Sequence, residues 1–162
     1  MSDDIAAHLT RLYAGMAEMQ RRMDGMFQRG PVHEVDAANG TVRLRLGGTD
    51  EKPFLSPPIP YAQTAGALKV HTPPSKGQQM TAISAVGDFR QGVAVPMTWS
   101  NANAAPSAKG DEHVITFGGF TITLKGDVLH VKGPKVLIEC GGTTLELTGG
   151  GVKTTAADYE FS

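Results

Sequence analysis

The first 28 residues carry apolar side chains at a regular helical spacing. Between Ser2 and Gln28 the steps from one apolar position to the next alternate strictly between four and three residues. This spacing is typical of the a and d positions of a coiled coil, which form a narrower seam than the apolar stripe of a globular helix. The helix seam consists of Ile5, Leu9, Leu12, Met16, Met19, Met23 and Met26. The pattern predicts an N-terminal α-helix over residues 1–28, and it favours oligomerisation or docking over packing on the helix's own domain.

From residue 29 onwards the pattern changes to alternation of apolar and polar residues. "VHEVD" and "TVRLRL" flank a turn that ends in Asn39-Gly40, which is a strong hairpin signal. Three further runs are bounded by Gly or Pro, namely "ALKVHTPP", "GQQMTAISAVGDF" and "GVAVPMTW". The segment "KPFLSPPIPYAQTAG" has too few backbone N–H groups for a sheet interior and is predicted as a loop or an edge. Five strands with one long loop predict an OB-type Greek-key barrel over residues 29–100.

A segment of small residues, 101–109, separates this barrel from a second β-rich part. It has no apolar periodicity and is predicted to be a linker. In residues 110–162 glycines recur every seven or eight residues and bound strands of only four to six residues. Alternate positions of these strands form one apolar face. This apolar strand face consists of Phe120, Ile122, Leu124, Leu129, Val131, Val136, Ile138, Cys140, Leu145, Leu147 and Val152.

Strands this short cannot close a core within one chain, because nothing in the sequence covers the apolar strand face. Three copies that wind around one axis would bury this face between them, and each strand edge would pair with the other two chains. The sequence therefore predicts a mainly β protein, in which residues 110–162 form an intertwined triple-stranded β-helix in a homotrimer.

Composition and charge exclude several classes of function. The net charge of −1 argues against a nucleic-acid partner. Arg43 and Arg45 are also not interleaved with the aromatic residues that base stacking would need. The single cysteine rules out an intrachain disulfide framework and a Cys-based zinc site. No apolar run approaches the length of a membrane span or a signal-peptide core, so we expect a chain that starts soluble in the cytoplasm.

Candidate catalytic and metal-binding patterns are also missing from the sequence. It contains no Ser/His/Asp order with supporting turns and no phosphate-binding glycine loop between a strand and a helix. None of the five histidines lies two residues from another, and alternation places His130 on the polar strand face. We therefore expect no enzymatic activity, no cofactor and no metal.

The order of these segments resembles the family of baseplate assembly protein V, the central spike protein of contractile-tailed phages and tailocins. The resemblance covers nearly the whole chain and rests on "GPVHEVDAANGTVRLRL", on "HTPPSKGQQMTAISAVGDFRQGVAVPM" and on the glycine-punctuated tail after Gly110. It implies a homotrimer in the virion, on the axis of the tail baseplate, that is made in the host cytoplasm before assembly. The helix and barrel would face a tail hub protein, and the β-helix would face the host outer envelope.

The function that the resemblance implies is mechanical. The trimeric needle would transmit the contraction of the tail sheath and puncture the host cell envelope. Two alternatives remain, a trimeric receptor-binding fibre and an OB-type nucleic-acid-binding module. The first would need a distal recognition site, and the second would need salt-sensitive binding to single strands.

The C-terminal end departs from the family pattern. Many family members end in an apex whose His-x-His pair binds iron, whereas "TTAADYEFS" contains no histidine. The predicted strands would rise only about 30–35 Å at about 4.8 Å per step, which is less than a bilayer of about 40–45 Å. We therefore expect a separate tip-capping protein that docks on Tyr159 and Phe161.

Overall fold

The structure is a computed structural model that describes residues 2–158. For Ser2 and Asp3 it describes the backbone only. The described chain contains one α-helix and twelve short β-strands, which confirms the predicted mainly β fold with an N-terminal helix. The chain divides into two compact units, residues 1–104 and 105–162. The division falls within the segment that was predicted to be a linker.

The helix continues directly into the first strand. Helix α1 spans Ser2–Met26 and strand β1 spans Phe27–Asp36. The predicted helix end at residue 28 is wrong by two residues, because Phe27 and Gln28 pair with the strand of residues 79–83. The carbonyl oxygen of Met26 accepts a hydrogen bond from Ser84 N at 2.9 Å. No loop therefore separates helix and sheet.

The first unit contains one antiparallel sheet of six strands. After β1 its strands are β2 (Thr41–Gly48), β3 (Pro53–Leu55), β4 (Ile59–Pro60), β5 (Gln79–Ile83) and β6 (Val93–Pro96). Their order is β3-β2-β1-β5-β6, and β4 pairs with β2. The predicted β1–β2 hairpin is confirmed, with Asp36 opposite Thr41 and Gly40 in the left-handed region at φ 65°.

The described strands form one sheet and no closed barrel, so the finer prediction of an OB-type Greek-key barrel is not confirmed and stays a prediction. Strand β6 pairs with β5 on one side. On its other side Ala94 forms one isolated bridge, with Tyr61, the residue that follows β4. The prolines around β4 lack the N–H groups that a continuous ladder needs, so this strand is only two residues long. The strand predicted at "ALKVHTPP" is wrong, because Lys69 of this segment forms only an isolated bridge, with the preceding Ala65.

The buried core of the described chain lies in the first unit. It is built from alternate residues of the sheet, namely Val32, Val42, Leu44, Ile59, Tyr61, Met80, Ala82 and Ala94. Two buried hydroxyls are hydrogen-bonded: Ser56 Oγ accepts from Leu44 N at 2.9 Å, and Ser84 Oγ donates to Asp88 O at 2.8 Å. The sheet of the first unit thus buries a core within the single chain.

The second unit contains two antiparallel sheets of three strands each. The first sheet has β7 (His113–Phe117), β8 (Phe120–Lys125) and β9 (Val128–Lys132). The second has β10 (Lys135–Cys140), β11 (Thr143–Thr148) and β12 (Gly151–Thr155). The predicted short strands are confirmed as strands of five or six residues. Two-residue turns join them, and Gly118, Gly126 and Gly141 lie in the left-handed region that favours glycine.

Candidate assembly surfaces

The strand register of the second unit brings the predicted apolar residues together on one face of each sheet. In the first sheet Ile122 lies opposite Val131, and Leu124 lies opposite Leu129. In the second sheet Val136 lies opposite Leu147, which in turn lies opposite Val152. Directly opposed residues of antiparallel strands project on the same side. The register thus places Phe120, Ile122, Leu124, Leu129 and Val131 on one face, and Val136, Ile138, Cys140, Leu145, Leu147 and Val152 on another.

Two further residues belong to this face in the first sheet. Ile115 lies opposite Ile122, and Phe117 lies opposite Phe120. Neither residue is in the predicted apolar strand face, although the alternation in "HVITF" carries the same signal as the strands that follow it.

The single chain leaves the apolar strand face uncovered. None of the described residues of the second unit is buried. Leu129 is 63% exposed, Val152 is 66% exposed and Phe117 is 87% exposed. Cys140 is exposed as well. Exposed apolar surface of this extent on neighbouring residues is characteristic of surfaces that another chain covers.

The opposite strand face carries polar and charged groups. His130 lies opposite Thr123, as alternation predicts. Lys135 Nζ lies 2.8 Å from the Glu146 carboxylate, and this hydrogen bond lowers the pKa of Glu146. Lys125 Nζ lies 2.9 Å from the Asp111 carboxylate. These pairs are half-exposed or exposed, so this face is compatible with water.

The helix seam is the second uncovered apolar surface. Six of its seven residues are exposed, with values that run from 48% for Leu9 to 65% for Met23. Met26, the last seam residue, is half-buried where the helix meets the sheet. The seam residues therefore have the accessibility that a coiled-coil contact requires.

A different face of α1 contacts the rest of the first unit, next to Gly87. A Cβ on Gly25 would lie 3.0 Å from Gly87 O, and a Cβ on Gly87 would lie 2.7 Å from Arg22 O. Next to this close approach, Glu18 accepts hydrogen bonds from Arg22 Nε at 2.7 Å and from Arg21. The hydrogen bonds from Arg22 and then Arg21 lower the pKa of the Glu18 carboxyl. Glu18 and Gly25 lie on the side of the helix away from the seam, and Arg22 lies between that side and the seam.

The described residues show no arrangement typical of a metal centre or a membrane helix. No group of three or more His, Cys, Asp or Glu side chains in residues 2–158 could hold a metal ion. Helix α1 is the one α-helix in the described chain, and no helix among the described residues is long and apolar enough to cross a bilayer. The candidate tip-docking residues Tyr159 and Phe161 lie outside the described residues.

The chain is similar to a phage spike protein. It is 26% identical over 146 residues to the spike protein of Escherichia phage P2, and the match covers 88% of this chain and 59% of the P2 protein. No protein-family model matches the chain. The chain thus spans about three-fifths of the length of this relative. Since the match covers more of the chain than either unit alone, it includes residues of both units.

The likeness to the P2 spike protein supports the resemblance stated above at a coarse level. It points to the class of phage tail spike and baseplate proteins, and it does not single out baseplate protein V within that class. The helix seam and the apolar strand face are the two uncovered apolar surfaces through which the chain could assemble with others in such a structural role.

Proposed function

We propose that this chain is a structural protein of a phage tail spike and that it works as a homotrimer. The observation that carries the proposal is the apolar strand face, whose residues stand in register on the sheets of a unit that has no described buried residue. The similarity to the P2 spike protein supports the same role.

The sheet edges favour copies of this chain as the covering partner. Among the described strands of the second unit, β7, β9, β10 and β12 each have a neighbour on one side only. Such edges present unpaired backbone N–H and C=O groups that can pair with another strand. Copies of the same chain supply both an apolar face and a matching strand edge. In the proposed trimer the three chains intertwine as a triple-stranded β-helix over residues 110–162.

The proposed mechanism is mechanical rather than enzymatic. The trimer would stand on the axis of the tail baseplate and bind the hub protein on its N-terminal side. Sheath contraction would drive it into the host outer envelope, which it would puncture. A separate protein would dock on Tyr159 and Phe161 of the three chains.

The mass of the full chain in solution tests the proposal. One chain has a mass of 17.1 kDa, so sedimentation should give a species of three times that mass, independent of protein concentration in the micromolar range. A monomer that keeps its β-sheet content would contradict the proposed trimer. Salt-sensitive binding to single-stranded DNA would instead favour the nucleic-acid-binding alternative.

A further inference from the structure

The face by which α1 contacts its own unit is not the helix seam. Glu18, Arg22 and Gly25 follow each other at steps of four and three residues, so they lie on one side of the helix. This side borders a cleft whose opposite wall includes Gly87, Asp88 and Arg90. At 100° per residue, the contacting side lies roughly 120° around the axis from the seam. The described residues of the first unit therefore leave the seam exposed from Ile5 to Met23.

The residues beside the seam permit identical helices to approach each other. If Leu9, Met16 and Met23 occupy a positions, the flanking e positions hold Ala6, Tyr13 and Gln20, and the flanking g positions hold His8, Gly15 and Arg22. Like charges at these positions would repel identical helices. The one charged residue among them is Arg22, and its guanidinium is paired with Glu18 of the same helix. The e and g positions of the helix therefore carry no unpaired like charges.

The seam residues also favour three helices over two. Leu9 lies at an a position and Ile5 at a d position, and the combination of Leu at a with Ile at d shifts parallel coiled coils from dimers to larger bundles. A closed trimer has a three-fold axis, so equivalent helices of its three chains run in the same direction along that axis. Each seam residue then faces the same residue of the other two copies.

We infer that α1 forms a parallel three-stranded coiled coil with α1 of two other copies of this chain. The occupant of the seam is thus a second and third copy rather than the hub protein. This inference rests on the proposed homotrimer, and it assigns to that trimer a second contact that is independent of the apolar strand face.

Disulfide trapping in the full-length protein tests the inference. Met23→Cys places a thiol at an a position near one end of the helix, where parallel but not antiparallel helices bring equal positions together. Disulfides form when the two Cα atoms are about 4.4–6.8 Å apart. After mild oxidation, peptide mass spectrometry should find a disulfide that joins two position-23 thiols. Two of the three chains in a trimer can be joined in this way.

Ala14→Cys is the matched control, because Ala14 is an exposed residue on the side of the helix opposite the seam. Its position-14 thiols should form at least about tenfold less homotypic disulfide, since disulfide geometry is strict. Peptide analysis also separates any disulfide of Cys140 from these products. If Met23→Cys yields no soluble protein, Ile5→Cys gives the same readout at a seam position near the other end of the helix.

The possible outcomes separate the two proposals. A trimeric mass without a seam disulfide, or with equal cross-linking at positions 14 and 23, overturns the coiled coil and leaves the trimeric spike standing. A monomeric mass overturns the trimeric spike, and the coiled coil with it. A trimeric mass with selective cross-linking at position 23 supports both.

Discussion

Ile138→Asp should abolish assembly of the trimer at neutral pH. Ile138 is 55% exposed in the single chain. Burial of this exposed part of the side chain in the trimer contributes about 1 kcal/mol per chain, which is half of the value for a full aliphatic side chain. A carboxylate without a partner in the same apolar interface costs at least about 3 kcal/mol per chain. Over three chains the loss reaches about 12 kcal/mol, which lowers the assembly constant by at least about a hundred-million-fold.

Leu137→Asp is the control, because Leu137 is the next residue on the same strand and projects from the opposite face. It is 52% exposed, so its starting accessibility is nearly that of Ile138. Sedimentation at pH 7 should give a monomer for Ile138→Asp and a trimer for Leu137→Asp. Equal masses for the two variants would refute the assignment of the apolar strand face to the trimer interior.

Acidic pH should partly rescue the Ile138→Asp variant. Burial in the trimer favours the neutral carboxyl, so the pKa of the new aspartate is higher in the trimer than the usual value of about 3.9 in the free chain. The assembled state therefore binds the proton more tightly. The trimer should reappear as the pH falls through the raised value, and it should be lost again as the pH rises. A monomer at every pH at which the unsubstituted chain stays trimeric would contradict this linkage.

Three further predictions concern other parts of the chain. The Cys140 thiol should resist a water-soluble alkylating reagent in the assembled protein and react once the trimer unfolds; fast labelling of the native protein would place its strand face outwards. Deletion of residues 156–162 should leave the trimeric mass unchanged but remove the capping protein from assembled particles, and a retained cap would disprove docking there. Gly87→Ala should lower the free energy of unfolding by more than about 1 kcal/mol, because φ is 75° and Arg22 O lies too close. Gly66→Ala, with open space around it, should have little effect in the same thermal melt.

The second unit was predictable from sequence because its signals are local. Two-residue turns that begin with glycine set the strand ends, and Gly118 and Gly126 adopt the left-handed conformation that few other residues tolerate. Strict alternation between these turns then determines which side chains share a face. Ile115 and Phe117 were not predicted as part of the apolar strand face, because their strand precedes the first glycine turn, at Gly118.

The first unit was predicted less well because its arrangement depends on contacts distant in sequence. The hairpin at Asn39-Gly40 was evident from its turn residues, whereas the bridge between Tyr61 and Ala94 joins segments 33 residues apart. Local patterns do not specify how far a sheet curls or whether its last strand meets the first. They also mark "ALKVHTPP" as a strand, although Pro73 and Pro74 remove two backbone donors at its end.

The direct passage of α1 into β1 has a mechanical consequence. Because Met26 is the last helical residue and Phe27 already pairs in the sheet, no slack segment separates the two elements. Strand β1 is hydrogen-bonded to β5 along its first half and to β2 along its second half, and these bonds run across the strand direction. A pull on the helix along the strand therefore loads many of these bonds together in shear, instead of peeling them apart one at a time.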